Sequence, residues 1–362
     1  MSKAFHIHPD ITQAETLPSS FYRSQAIFEE LIERVFAKSW QFVGDKSQVE
    51  IPGQVKPVSF LEFGLEEPML LTNDQGTIHC LSNVCTHRGN ILCHDPCKTK
   101  QLICGYHARR FNLQGEFQFM PEFKEAKDFP RKEDHLTRFP LKNLGPWLFA
   151  SLGEGSFDFE PVLEAMERKI GFLPLDEFKE DKSRNKDYLV NAHWALYCDN
   201  YLEGFHIPFV HEGLNSVLDY RKYETVLYPH CNLQVGYSSG GEHVFELPKE
   251  HEDYGQQISA YYFWVFPNLM FNFYPWGCSI NVVKPISLHR TKVSFISYVY
   301  DESKLDTGAG AALDKVERED EFVVEGVFKG MASRVYQNGR FSPKMEKGVH
   351  HFQGLLAEYL NQ

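Results

Sequence analysis

The hydrophobic positions of this chain change rhythm twice. Over residues 19–40 they fall at helical spacing, with Ile27, Leu31 and Val35 four apart and Phe28, Ile32 and Phe36 beside them. That predicts an amphipathic helix capped by Ser19 or Ser20. From residue 41 to 152 the apolar runs are short and cut by Gly and Pro, as at 55–63, 69–72, 102–104 and 147–151. Gly76 and Gly115 stand at expected hairpin turns, so this stretch predicts a small antiparallel β-domain. Residues 153–157 read as a linker and 160–170 as a short amphipathic helix. Beyond them, 226–235, 261–266, 269–274, 279–283 and 293–300 are rich in β-branched and aromatic residues and read as antiparallel strands. Residues 310–330 and 349–360 read as helices. The expected class is α+β in three regions: an N-terminal helical segment (1–40) packing on the last domain, an all-β domain (41–152), and a sheet covered by helices with room for a pocket (153–362).

Length and charge constrain what such a protein does. A chain of 362 residues can bury two cores. A net charge of −12 argues against nucleic acid as partner, because phosphate attraction needs a basic face. It suits a cationic partner or substrate and equally suits plain solubility. No apolar run approaches membrane-spanning length, and the polar opening has no targeting core, so a soluble cytoplasmic protein is expected. In that reducing setting the eight Cys read as metal ligands before disulfides. The 30 Phe and 17 Tyr suffice for an apolar ligand cavity as well as ordinary cores.

Two clusters of residues bring chemistry. Cys85-Thr86-His87-Arg88-Gly89 is answered by Cys104-Gly105-Tyr106-His107, with sixteen residues between His87 and Cys104. Zinc fingers usually pair Cys with Cys and His with His, so a Cys-x-His knuckle is unusual for zinc. A Rieske centre takes two Cys on one iron of a 2Fe-2S cluster and two His on the other, and one pair from each loop suits that site. Zinc, or plain core residues, is the alternative. Cys93, His94 and Cys97 between the loops read as free thiols or as a spare metal knuckle.

The second cluster is Asn200 to His211. His206 and His211, five apart, would point about 140° apart on a regular helix, and Pro208 between them allows a kink. Two His and a carboxylate with open positions make the non-haem iron site that activates dioxygen. Asp320 is the candidate carboxylate: it falls in the stripe Leu313, Val316, Asp320, Val323, Val327, and a carboxylate on a buried face needs a metal or, as the alternative, an ion-pair partner. Its neighbours Glu317, Arg318, Glu319 and Glu321 read as a solvated face.

Taken together, nearly the whole chain resembles the α subunit of the Rieske non-haem iron oxygenases, the ring-hydroxylating family. The loops at Cys85 and Cys104 are similar to its Cys-x-His-Arg-Gly and Cys-Pro-Tyr-His-Gly motifs, with Gly105 and Ala108 replacing Pro and Gly. The stretch Asn191-Ala192-His193-Trp194 to His211 resembles its catalytic signature. The resemblance implies an all-β Rieske domain, a helix-grip, START-like catalytic domain, one 2Fe-2S cluster on Cys85, His87, Cys104 and His107, and one Fe(II) on His206, His211 and Asp320. It implies that Glu203 bridges His206 to His107 of the partner subunit in a homotrimer, with Asn200 near the iron or simply at a helix end. Asn90 and Tyr106 stand where respiratory Rieske proteins carry an extra Cys, so the oxygenase-type cluster is expected. No nucleotide fingerprint accompanies these motifs, which implies a separate ferredoxin or flavin reductase using NAD(P)H.

Candidate pocket residues are Tyr201, Phe205, Phe271, Phe273, Tyr274 and Trp276. Aromatic walls accept flat rings and, through cation–π contact, quaternary ammonium groups. The single-chain layout and residues 266–272 look like the choline, betaine and carnitine branch. Hydroxylation or N-demethylation of a small amine or betaine with O2 is therefore the expected reaction. Aromatic-ring hydroxylation is the runner-up, and a Rieske electron carrier without oxygenase activity the remote alternative.

Overall fold

Short, Gly-punctuated runs close into three small sheets in the first half of the chain. The computed structural model describes residues 4–153, 155–211, 222–240, 243–305 and 313–362. Residues Ala37–Phe157 form one compact unit, and those up to Phe36 join those from Asp158 onward in another. In the Ala37–Phe157 unit the strands are β1 (Trp40–Asp45), β2 (Gln54–Phe60), β3 (Glu67–Asp74), β4 (Thr77–Ser82), β5 (Cys97–Lys98) and β6 (Leu102–Ile103), then β7 (Arg110–Phe111), β8 (Phe117–Phe119), β9 (Arg138–Phe139), β10 (Leu141–Leu144) and β11 (Trp147–Ser151). They pair in the orders β5-β2-β3-β4-β9, β6-β7-β8 and β1-β11-β10. The β3–β4 turn places Gln75 at φ 51° and Gly76 at φ 97°, the double left-handed turn that matches strand twist. Val55, Leu70, Leu81, Phe111, Leu113 and Leu136 form the core on which Cys85 and Cys104 rest.

The other unit is a sheet with helices against it. Its strands are β12 (Lys179–Glu180), β13 (Lys186–Val190), β14 (Glu224–Tyr228), β15 (Cys231–Tyr237), β16 (Ile258–Val265), β17 (Leu269–Tyr274), β18 (Gly277–Ser287) and β19 (Arg290–Val299). Among the described residues they form one antiparallel sheet, β12-β19-β18-β17-β16-β15-β14, with β13 also on β19. Among the described residues the α-helices are α1 (Gln25–Leu31), α2 (Glu160–Ile170), α3 (Trp194–Tyr201), α4 (Ile207–Val210), α5 (Leu313–Gly330) and α6 (Lys347–Asn361). Residues 310–312 of the expected long helix lie outside the described residues.

Three local expectations need correcting. The first helix starts at Gln25, not near Ser19, because Ser24 caps it by accepting from the Ile27 amide at 3.4 Å. Residues 226–235 are a hairpin rather than one strand: Pro229, which has no N–H for the ladder, sits in the turn, and Tyr228 pairs with Cys231. Among the described side chains of α5 the buried ones are Glu317, Val324 and Phe328, while Val327 is 43% exposed. The buried stripe is thus turned by about one residue, roughly 100°, from the expected one through Val316, Asp320, Val323 and Val327. Glu317 holds its centre.

A buried node ties the N-terminal segment to α3 and α6. Tyr22 donates to Asp199 Oδ2 at 2.9 Å, and Gln353 donates to Asp199 Oδ1 at 3.0 Å while accepting from the Leu17 amide at 2.7 Å. Burial outweighs these donors and raises the Asp199 carboxyl to about 7. Tyr22→Phe leaves Asp199 short of a donor and should lower unfolding free energy by about 1–3 kcal/mol, read from denaturant melts. Among the described residues no helix is long and apolar enough to cross a membrane.

Candidate metal centres and cavity

Each Cys-x-His loop closes by the same pair of backbone bonds. The Cys85 amide donates to Asn90 O at 2.8 Å and the Gly89 amide returns to Cys85 O at 2.9 Å; Cys104 to Arg109 O (2.8 Å) and Ala108 to Cys104 O (3.0 Å) repeat it. The fifth residue of both is left-handed, Gly89 at φ 71° and Ala108 at φ 56°. Ala108 therefore adopts a conformation that glycine takes more easily. This geometry brings the rings of His87 and His107 to 4.8 Å and buries both sulfurs. Burial opposes ionisation of Cys104, but the amides of Tyr106 and His107 and the Asn90 side chain point at its sulfur and bring the thiol below its ordinary value. Burial, with His107 beside it, lowers His87 and favours its neutral, ligating form. His107 Nδ1 is buried without a hydrogen-bond partner. Two sulfurs with amide donors, a neutral imidazole and an orphaned ring nitrogen fit a 2Fe-2S cluster.

Both loops are tied to Asp134, which sequence reasoning missed. Thr86 donates to its carbonyl at 2.9 Å, and Arg109, 1% exposed, donates to that carbonyl at 3.0 Å and to Oδ1 at 2.7 Å. The thiols of Cys93 and Cys97 stand 3.7 Å apart, and neither is disulfide-bonded.

In the second centre α3 stops at Tyr201, and His206 and His211 flank the single turn α4. Pro208 sits in the first turn of α4, where no amide is needed, so it begins a helix rather than kinking one. The ligand atoms of His206, His211 and Asp320 all lie within 4.8 Å of one another. The two Nε2 atoms face one oxygen, Asp320 Oδ1, at 3.4 and 3.0 Å. Each opposite ring nitrogen meets its own carboxylate: His206 Nδ1 stands 2.7 Å from Glu203 Oε1, and His211 Nδ1 2.7 Å from Glu319 Oε2. Asn200 donates to Asp320 Oδ1 at 2.6 Å. Although burial opposes it, Asp320 and Glu203 raise His206 to about 9. Two imidazoles oriented from behind and one carboxylate fit an oxygen-activating iron.

Glu319 and Glu317, expected on a solvated face, are both engaged instead. Glu319 orients His211, and Glu317 is 3% exposed. Their signal was hidden in a run of charges; the turn of three from Glu317 to Asp320 is the one cue that places Glu317 on the same face. Glu319→Gln weakens the hold on His211 and should lower iron affinity by about 10- to 100-fold, read by chelator competition.

Beside the second centre is a cavity of about 110 Å³. A row of paired residues on the sheet makes its floor: Gln234 opposite Tyr262, Tyr262 opposite Asn272, and Asn281 opposite Phe295. Tyr197, Asn200 and Tyr201 of α3 and Val316, Glu317 and Asp320 of α5 add to the lining. Tyr201 donates to Asn272 Oδ1 at 2.9 Å, joining helix to sheet. Of the expected pocket residues, Tyr201 and Tyr274 line the cavity, whereas four do not. Successive side chains on a strand face opposite ways, so Phe271 and Phe273 stack on each other on the other face from Tyr274, fully buried. Trp276 packs behind Tyr274 with Ala260 and Val299. Phe205 is 41% exposed beside Phe209.

The chain matches known families and proteins over nearly its whole length. Residues 175–362 match the ring hydroxylating alpha subunit catalytic domain, and residues 39–130 match the Rieske [2Fe-2S] domain. The chain is 29% identical over 369 residues to choline monooxygenase, chloroplastic, of Beta vulgaris, covering 97% of this chain and 79% of that protein. It is 26% identical over 359 residues to the carnitine monooxygenase oxygenase subunit of Escherichia coli K12, covering 96% and 94%. Its fold is similar to that of the quaternary ammonium Rieske monooxygenase CntA bound to L-carnitine (TM-score 0.74, 24% identity, 97% of each chain). It is also similar to naphthalene 1,2-dioxygenase from a Rhodococcus species bound to indole (TM-score 0.71, 15% identity, 95% and 93%).

Proposed function

From the premise that this chain belongs to the ring-hydroxylating α-subunit family, we propose that it is the terminal oxygenase that hydroxylates or N-demethylates a small quaternary amine or betaine. It is an oxidoreductase of the Rieske mono- or dioxygenase kind, with one 2Fe-2S cluster and one mononuclear iron per subunit. When bound, these groups supply stored electrons and the activation of dioxygen. In the proposed assignment Cys85, His87, Cys104 and His107 hold the cluster, and His206, His211 and Asp320 hold the iron. Glu203 and Glu319 fix the two imidazoles by taking their Nδ1 protons in hydrogen bonds, and Asn200 fixes the Asp320 oxygen that both rings face. The cavity between sheet and helices seats the substrate at those ligands and keeps water away from them.

The proposed working form is a homotrimer in which Glu203 also meets His107 of the partner subunit. A carboxylate oxygen has a second lone pair for that purpose, and the Glu203 side chain keeps 13% of its surface exposed. Each metal-bearing loop carries an exposed aromatic, Tyr106 at 58% beside His107 and Phe209 at 79% on α4. Large exposed rings at both ends of an electron route suit an interface. Electrons come from a separate ferredoxin or flavin reductase, and the expected compartment is the cytoplasm.

The observation that carries the substrate reading is a tyrosine-lined cavity at the iron ligands, in a chain whose relatives are choline and carnitine monooxygenases. Aromatic-ring hydroxylation is the second reading, favoured by the same walls and by the fold shared with naphthalene dioxygenase. Reductase-coupled oxygen uptake, measured on a panel of quaternary amines and one of aromatic acids, separates them. Stimulation by the amines is expected; stimulation by the aromatic acids alone would replace this reading with the second.

A further inference from the structure

One wall of the cavity holds a carboxylate that the proposed metal chemistry does not use. Glu317 is 3% exposed and lines the cavity from α5. Its Oε2 accepts from Tyr197 at 2.6 Å, whereas its Oε1 is buried without a hydrogen-bond partner. A buried acceptor left open on a residue that lines a ligand cavity is costly for the protein and calls for a partner. Tyr197, Tyr201, Tyr262 and Tyr274 share that cavity, and among the described lining residues none is Lys or Arg. Arg318, the nearest basic residue in sequence, is turned outward to Glu321 and the Tyr188 ring.

We propose that Glu317 is the counter-charge for a cationic nitrogen, with Oε1 against the positive end of the substrate and Tyr197 holding Oε2. The role rests on the amine substrate proposed above. The tyrosine rings provide the shape and part of the attraction, but they also accept an uncharged group of the same size. The carboxylate decides by sign. Burial, which Tyr197 only partly offsets, raises Glu317 to about 8, so the carboxyl holds its proton near neutrality. An arriving cation favours the ionised form and displaces that proton.

The test compares choline with 3,3-dimethylbutan-1-ol, its uncharged carbon isostere, by equilibrium binding to the holoenzyme. The wild-type protein should prefer choline. Glu317→Gln, equal in size and still able to meet Tyr197, should weaken choline at least tenfold and leave the isostere within about twofold. Glu317→Asp should keep the preference, which guards against a folding defect in the Gln variant, as do unchanged iron and sulfide contents. If Glu317→Gln binds both compounds as the wild type does, or weakens both equally, Glu317 is a packing residue and the proposal falls. If the wild-type protein binds neither compound, while the aromatic panel stimulates oxygen uptake, the amine reading itself fails and takes this role with it.

Discussion

Asp320→Ala should remove one iron per chain and reduce substrate-dependent oxygen uptake to the blank, while the visible absorption of the cluster stays. Asp320 Oδ1 is the one atom that both His206 and His211 face. It is also the acceptor for Asn200. Truncation leaves two imidazoles at a turn, each still held from behind but with nothing opposite. Loss of an outer partner costs about 10- to 100-fold in metal affinity, and loss of a direct ligand costs more, so micromolar iron would no longer fill the site. The Cys85 and Cys104 loops belong to the Ala37–Phe157 unit, with its own core, so their absorption and acid-labile sulfide have no reason to change. Full turnover in this variant would remove Asp320 from the proposed ligand set.

Glu203→Gln should behave differently: the cluster stays, iron affinity falls by about 10- to 100-fold as at Glu319, and with iron supplied in excess turnover still falls by about 100-fold. Gln is the informative replacement because Glu203 has a local duty too. Its Oε2 accepts from the Phe205 and His206 amides and so shapes the entry into α4. The amide oxygen of Gln can keep that duty, but the negative charge facing His206 Nδ1 is gone. If Glu203 bridges subunits as proposed, the cluster should reoxidise slowly on rapid mixing with dioxygen and substrate. A reoxidation rate equal to wild type would confine Glu203 to orienting His206.

What could be read before folding divides by the distance over which the cause acts. Cys85, His87, Cys104, His107, His206 and His211 lie in short local segments, and ligand chemistry restricts both their type and their spacing. Helix α2 was readable to the residue because its pattern needs nothing beyond itself. Asp320 is legible through the expected stripe on α5, yet the buried face is turned from that stripe because it takes in Glu317, a charged residue in a run of charges. Glu317 and Glu319 look like a solvated run of charges until His211 and Tyr197 arrive from 108 and 120 residues away. Only Tyr201 and Tyr274 of the expected pocket residues line the cavity, for a related reason. Aromatic content was visible, but the face of β17 that each ring takes is fixed by register with β16 and β18.

That register also sets the terms for redesign. On β17 the residues divide by parity: Asn272 and Tyr274 line the cavity, while Phe271 and Phe273 are buried behind the sheet. Libraries spread evenly along the strand would spend half their members on positions that change folding yield rather than substrate range. A library confined to the cavity row, with Tyr262 and Gln234 as the cross-strand neighbours of Asn272 and Tyr262, searches a far smaller space. It varies what enters without loosening what holds.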